Sequence, residues 1–281
     1  MSGTADANTR TGHDVVADVV GVVGVVLAGG QSRRMGRDKA LLRLEDGRML
    51  LERTVHVLRT VGLDDVLLSV SSAERTAALR EAVPSAAALP VIADDAPNHG
   101  PLGGLAAALR ARPGRAVLLV ACDLPHLDRR ALELVVDAFR RGLPSPPLPL
   151  RGTPPLLPTA GLPSPPTPLP RSGEGCKGYA RRAGEEQGVL RVRAVDIVLP
   201  RVGGYDQPLH AVYGPSCLPQ VLRLLDAGRL AMSGLLTAPD LSVSVLPEEY
   251  FVARGVAPSC FANVNTPDDL AALTLPAPVG G

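Results

Sequence analysis

Apolar runs alternate along the first half of the chain with segments that place apolar residues at helical spacing. None of the four apolar runs shows the period-two pattern of a half-exposed strand. Uninterrupted apolar runs are typical of strands that are covered on both faces. The predicted strands are GVVGVVL, ending in the glycine pair of GVVGVVLAGG, then DDVLLSVS, LPVIADD and AVLLVACDLP.

The segments between these strands predict helices. Leu51, Val55 and Leu58 lie at helical spacing and indicate an amphipathic helix after the first strand. The next helices are ERTAALREAV, stopped by Pro84, then the glycine-led GPLGGLAAALRAR, and DRRALELVVDAFRRG with Asp128 as its N-cap. This strand–helix alternation predicts an α/β fold with a mostly parallel sheet and helices on both faces.

The alternation breaks in a proline-rich segment. Residues 143–170 hold 12 of the 28 prolines, and LPSPPLPL at 143–150 returns as LPSPPTPL at 162–169. Proline neither continues a helix nor pairs within a sheet, so residues 143–193 are predicted to be a low-complexity, solvent-exposed insertion. A ligand for an SH3-like partner is the functional interpretation. We favour a passive insertion, because loop closure costs grow only slowly with length.

Order is predicted to resume near AVDIVLP at residues 194–200. DQPLHAVYG and LSVSVLP read as strands, LPQVLRLLDAG reads as a helix, and CFANVNTPDDLAAL reads as a loop and a helix. We therefore predict one α/β domain from residues 20–142 and 194–281, with a disordered lead-in at residues 1–19.

Composition narrows the function classes. The 29 Lys and Arg residues nearly balance 28 Asp and Glu residues, which argues against a general nucleic-acid binder. The most apolar run, residues 15–30, is interrupted by Asp18 and is short for a membrane span. No Cys or His spacing suggests zinc. The expectation is a cytoplasmic protein with no nucleic-acid or membrane partner. The sequence contains only two lysines, Lys39 and Lys177.

A glycine turn followed by cations marks the end of the first strand. Residues 27–39 read LAGGQSRRMGRDK. Gly29 and Gly30 allow the backbone to approach an anion closely, and three arginines and Lys39 follow. At the carboxyl end of a first strand, such a turn predicts a phosphate site. The alternative is a tight βα turn with a solvated basic helix start.

The string LAGGQSRRMGRDKALL resembles the signature of the molybdenum cofactor guanylyltransferases, approximately LAGG-x-S-x-RMG-x-DKALL. Three further motifs resemble that family in the same order along the chain: GPLGG from Gly100, CDLP from Cys122 and NVNTP from Asn263. Related families that transfer CMP or act on sugar phosphates usually have Pro-Lys in place of Asp38-Lys39. The resemblance implies a Rossmann-like nucleotidyltransferase that moves GMP from GTP to molybdenum-molybdopterin and releases pyrophosphate.

The resemblance also implies roles for individual residues. Lys39, Arg34 and Asp123 are the catalytic candidates, with Lys39 as the principal cation, and Asp123 is the ligand for Mg²⁺. It implies transient contact with molybdenum cofactor enzymes or chaperones. The implied nucleotide-binding residues are Leu27, Ala28, Gly29, Gly30, Lys39, Ser69, Asp94, Gly100, Asp123 and Asn265.

Chemistry supports these assignments unequally. Asp123 ends an apolar strand, where a carboxylate needs a partner, and Mg²⁺ with a triphosphate would supply one. Asp94 can accept two guanine N–H groups, although a shift of one residue would give that role to Asp95. Asn263 and Asn265 share one side of an extended segment and are either ligand-binding or turn-capping amides.

Three positions weaken or limit the assignment. Ser69 and Ser71 stand where the family often has Asn, which leaves base selectivity open between GTP and CTP. His210 is interpreted as a satisfied strand histidine rather than part of an acceptor pocket. A rival acceptor, or a nucleotide-binding module without activity, also stays open.

Overall fold

In the computed structural model, the described residues are 21–29, 38–44, 46–63, 65–93, 99–143, 195–264 and 269. The predicted lead-in at residues 1–19 lies outside them, as does all of the predicted insertion except Leu143. Residues 1–146 and 194–281 form one unit that is separate from residues 147–193. The proposed domain boundaries remain a prediction.

The strands form one eight-stranded sheet, in which seven follow the order β3-β2-β1-β4-β7-β5-β6 and β8 pairs with β5. The first four strands pair in parallel, β4 pairs antiparallel with β7, and β5 pairs antiparallel with β6 and β7 but parallel with β8. The strand bounds are β1 Val22–Leu27, β2 Val66–Val70, β3 Val91–Ala93, β4 Ala116–Ala121, β5 Ile197–Val202, β6 Tyr205–Asp206, β7 His210–Tyr213 and β8 Val243–Pro247.

Helices cover both faces of this sheet, as the uninterrupted apolar strands predicted. The α-helices are α1 Leu50–Thr60, α2 Ala73–Ala82, α3 Pro84–Ala87, α4 Gly100–Ala111, α5 Arg129–Arg140, α6 Leu218–Asp226, α7 Ser233–Leu236 and α8 Glu248–Val252. Short 3-10 helices span Lys39–Leu41, Pro215–Cys217 and Pro258–Phe261. Helices α1, α5 and α8 pack on one face, and α4, α6 and α7 pack on the other.

The predicted α/β fold is therefore confirmed, and the local signals explain its elements. Leu51, Val55 and Leu58 are fully buried, so α1 packs the apolar face that its spacing predicted. Asp128 accepts a hydrogen bond from the backbone N–H of Ala131 at 2.9 Å and caps α5. The antiparallel place of β7 was not predicted, because an apolar strand has the same residue pattern in either direction.

Candidate active site

The carboxyl ends of β1, β2 and β4 lie together at one edge of the sheet. In the strand register Leu27 lies opposite both Ser69 and Ala121, so the segments that follow these strands leave the sheet side by side. The strand order reverses between β1 and β4. In open α/β sheets a crevice forms at such a switch point and is the usual place for a ligand.

Lys39 and Asp123 meet at this crevice although 84 residues separate them in sequence. The Lys39 ammonium donates to Asp123 Oδ2 at 3.1 Å, and each side chain is 19% exposed. Asp123 Oδ1 is buried and has no hydrogen-bond partner among the described residues. A buried carboxylate oxygen without a donor is costly, so it favours the binding of a cation or a polar ligand.

The CDLP and NVNTP motifs are also brought together. The backbone N–H of Val264 donates to the carbonyl of Asp123 at 3.0 Å. Asn263, next to it, is exposed. This bond holds the chain segment of the closing motif against the residue that the sequence predicted as the metal ligand.

Arg75 links the end of β1 to the segment that carries Lys39. Its Nε donates to the Ala28 carbonyl, and its two terminal nitrogens donate to the two carboxylate oxygens of Asp38. Asp38 Oδ1 also accepts from the backbone N–H of Ala40 at 3.0 Å. The hydrogen bonds with Asp38 are the main cause of a raised pKa of Arg75. Arg75 was not among the predicted site residues. Its position in the first turn of α2 is nevertheless a signal, since the helix dipole disfavours a cation there.

Glycines let helix α4 approach the strands beneath the crevice. A Cβ atom on Gly104 would lie 2.6 Å from both Leu27 Cδ2 and Ser69 Oγ. Ser69 is 3% exposed, and its carbonyl accepts from the N–H of Ala28 at 2.9 Å. Ser69 thus supports the site from beneath, whereas Ser71 is exposed at the same edge.

Gly104→Ala should lower the free energy of unfolding by about 1–3 kcal/mol, because the added methyl group overpacks the contact with Leu27 and Ser69. Helix propensity alone predicts the opposite, a gain of roughly 0.5–1 kcal/mol. Chemical denaturation measures the difference. The double variant Gly104→Ala/Ser69→Ala should recover part of the loss. Wild-type stability of the single variant would contradict the packing argument.

The described cysteines do not provide a nucleophile. Cys122, Cys217 and Cys260 are buried and free, and burial is the main cause that raises their pKa values to about 12. A thiol with such a pKa carries almost no thiolate near neutral pH. These three cysteines are therefore poorly suited to a covalent catalytic step.

His210 is a buried strand histidine, but it is not satisfied as predicted. It is 2% exposed, and its Nε2 has no hydrogen-bond partner among the described residues. Its ring packs edge-on against that of Phe261, with 5.1 Å between the ring centroids. Burial lowers its pKa from 6.5 to about 3. The ring is therefore neutral near pH 7 and does not serve as a cationic group.

This shift predicts loss of stability in acid. Below pH 6.5 the unfolded state gains a proton at His210, whereas the folded state does not until about pH 3, so stability falls as the pH falls. Between pH 7 and pH 5 the loss from this group is about 2 kcal/mol. Chemical denaturation at both pH values should show a smaller loss for His210→Leu than for the wild type. An equal loss in both proteins would contradict the assignment.

Four predicted site residues, Gly30, Arg34, Asp94 and Asn265, lie outside the described residues and stay predictions. Gly100 begins α4 with a φ of 59°. The described residues contain no cluster of three or more His, Cys, Asp or Glu side chains that could hold a metal ion. Within the same residues, no helix has the length and apolar character to cross a membrane.

Comparisons with known proteins show which families the chain resembles. Residues 24–149 match the family model described as the MobA-like NTP transferase domain. A probable molybdenum cofactor guanylyltransferase of Opitutus terrae is 40% identical over 129 residues, which are 45% of this chain and 59% of that protein. One of the same description from Pelotomaculum thermopropionicum is 29% identical over 248 residues, covering 88% of this chain and 89% of the relative.

A solved structure shares the fold. The chain resembles molybdopterin-guanine dinucleotide biosynthesis protein A from Archaeoglobus fulgidus with a TM-score of 0.59 and 20% identity, covering 89% of this chain and 95% of the other. This likeness shows that the chain shares the α/β fold of that structure. Over residues 24–149 the chain resembles the MobA-like NTP transferases.

Proposed function

We propose that the protein transfers GMP from GTP to molybdenum-molybdopterin, which yields the guanine dinucleotide form of the cofactor and pyrophosphate. The observation that carries the proposal is the contact between Lys39 and Asp123 at the crevice of the sheet. This contact brings a cation and a carboxylate together near the carboxyl ends of β1 and β4, the usual position of a phosphate site in such sheets. The guanylyltransferase descriptions of the relatives support GTP and molybdopterin as the substrates.

The carboxylate fits a divalent metal. Mg²⁺ is usually held by one or two carboxylates together with phosphate oxygens and water, not by a cage made only of protein groups. Asp123 offers such a carboxylate, and its buried Oδ1 lacks a donor among the described residues. We propose Mg²⁺ as the metal, which when bound would neutralise charge on the triphosphate.

The side chains at this edge position the phosphates and stabilise their charge. An oxygen of the acceptor phosphate forms a bond to the α-phosphorus, and the bond from that phosphorus to the β-phosphate oxygen breaks. Lys39 binds the leaving pyrophosphate, and the backbone at Gly29 lets the triphosphate lie close to the end of β1. A general base is unnecessary because the acceptor phosphate is already an anion.

Nucleotide selectivity is the first test of the proposal. The melting temperature is measured with GTP, CTP and ATP, each with and without Mg²⁺, because a ligand that binds the folded state raises it by mass action. The largest Mg²⁺-dependent rise is expected with GTP. A rise selective for CTP would replace the proposal with cytidylyl transfer.

The second test measures the reaction. Pyrophosphate release is followed with GTP in the presence and absence of molybdenum-molybdopterin, and the guanine dinucleotide product is identified by mass. Release that depends on the acceptor is expected. Nucleotide binding without release, under conditions in which a known guanylyltransferase is active, would favour a binding module without transferase activity.

A further inference from the structure

Arg75 contacts two segments of the chain that the proposed reaction needs in register. One is the end of β1, where its Nε donates to the Ala28 carbonyl. The other is the start of the 3-10 helix Lys39–Leu41, where its two terminal nitrogens bind both oxygens of Asp38. One planar guanidinium therefore fixes the distance and the angle between these segments.

The location of Arg75 is electrostatically unfavourable without Asp38. Arg75 lies in the first turn of α2, where the N-terminal end of the helix dipole repels a cation. Its side chain is only 15% exposed, so water screens the charge poorly. The carboxylate of Asp38, 24% exposed, offsets both costs. A surface arginine that only solvates a helix would need neither this burial nor two partners.

Asp38 transmits the contact to Lys39. Asp38 precedes Lys39 directly, and its Oδ1 accepts from the backbone N–H of Ala40, which caps the short helix. When Arg75 binds the carboxylate of Asp38, it fixes the orientation of the short helix Lys39–Leu41 relative to the end of β1. The ammonium of Lys39 then reaches Asp123 Oδ2 at 3.1 Å.

Arg75 also neutralises a carboxylate beside the proposed phosphate site. Without the guanidinium, the negative charge of Asp38 would lie one residue from the cation that binds the leaving pyrophosphate. Together Arg75, Asp38, Lys39 and Asp123 carry two positive and two negative charges. Arg75 thus offsets the negative charge of the carboxylate that lies next to Lys39 in sequence.

We infer that Arg75 is a positioning residue for the transfer reaction: through Asp38 it holds Lys39 in the orientation that binds phosphate. The inference deepens the proposed function and rests on it for the identity of the substrate. Arg75 binds Asp38 through two nitrogens and the Ala28 carbonyl through one. Its effect on turnover is expected to pass mainly through the segment that begins at Asp38.

Kinetics of Arg75→Met test the inference. A misplacement of about 1 Å costs about 100-fold in rate, so kcat should fall by about that factor. Arg75→Lys keeps the charge but cannot bind both oxygens of Asp38 and the Ala28 carbonyl in one plane. Its kcat should therefore lie between those of the wild type and Arg75→Met. The matched control is Arg80→Met, an exposed arginine on the same helix, which should retain wild-type kcat.

A double variant separates positioning from a general loss of structure. If Arg75 acts through Asp38, then Arg75→Met/Asp38→Asn should be no slower than the slower of the two single variants. Multiplicative losses in kcat would overturn the inference. Melting temperatures identify any variant that fails to fold, and the Arg75→Lys series then supplies the comparison.

A spectroscopic readout keeps the test independent of the proposed reaction. The chain has only two lysines, so lysine labelled with ¹³C at the ε carbon gives two signals, and Lys177→Arg identifies that of Lys39. Arg75→Met should shift the Lys39 signal as Asp123→Asn does, whereas Arg80→Met should not. An unmoved Lys39 signal in a folded Arg75→Met protein would overturn the positioning role. If the wild type shows no transfer, the proposed function fails while this result still decides the role of Arg75.

Discussion

Lys39→Ala is expected to lower kcat by about 10²- to 10³-fold and to leave the fold intact. The range is that for removal of one preorganised group that stabilises charge in a transition state. Lys39 and Asp123 are each 19% exposed, so their ion pair is not part of the fully buried core. Loss of the ammonium removes the proposed contact with the leaving pyrophosphate. Pyrophosphate release at saturating GTP measures the effect, and circular dichroism checks the fold.

The other lysine of the chain provides the control. Lys177→Ala, within the predicted insertion, should retain wild-type turnover. Lys39→Arg keeps the charge but spreads it over a larger planar group, so a partial loss is expected. Wild-type turnover of Lys39→Ala would remove this residue from the mechanism.

Asp123→Asn should abolish most of the activity and its dependence on the metal. The amide keeps the shape of the side chain but lacks the negative charge that Mg²⁺ requires. We expect kcat to fall by at least about 10²-fold, comparable to the loss of another group that stabilises the transition state. Titration with Mg²⁺ at fixed GTP should no longer produce the rise in melting temperature that the wild type shows.

The stability of Asp123→Asn is expected to respond differently from its activity. Asp123 Oδ1 is buried without a hydrogen-bond donor among the described residues, so a neutral amide there removes a desolvation cost. Because the partly exposed ion pair with Lys39 is lost at the same time, the free energy of unfolding of Asp123→Asn is expected to stay within about 1 kcal/mol of that of the wild type. Functional groups often lower stability in this way.

A second carboxylate, that of Asp65, provides a matched control for Asp123→Asn. Asp65 is also 19% exposed, but it binds Arg112 and Arg115 at the opposite, amino-terminal edge of the sheet. Asp65→Asn should lower stability, because it leaves two arginines without their carboxylate partner, and should retain turnover. Loss of turnover in both variants with equal loss of stability would contradict a special role for Asp123.

Much of the fold followed from local patterns. The spacing of Leu51, Val55 and Leu58 predicted the buried face of α1, and Asp128 predicted the start of α5. These signals are short-range, because the repeat of a helix and the capping of its first turn involve residues a few positions apart. Pairing direction has no such signal, so the antiparallel β7 became evident only in the sheet.

The site was predictable as a set of motifs but not as a network of contacts. The glycine turn at the end of β1 and the carboxylate of Asp123 could be recognised in sequence, since each follows an apolar strand. The hydrogen bond from Lys39 to Asp123 Oδ2 could not be predicted. The two residues are 84 positions apart, and the direction of their side chains depends on the register of β1 and β4. Ser69 was a predicted nucleotide contact, yet its side chain is buried against α4.

By itself the sequence determined that β1, β2 and β4 are buried on both faces, which face of α1 is buried, where α5 begins, and which residues at strand ends are candidates for binding an anion or a metal. These properties depend on residue type and on near neighbours. Only the tertiary structure decided that Arg75 joins Ala28 to Asp38, that His210 lacks a partner for Nε2 among the described residues, and that Gly104 must have no side chain. Those contacts depend on how segments distant in sequence pack within a few ångströms of one another.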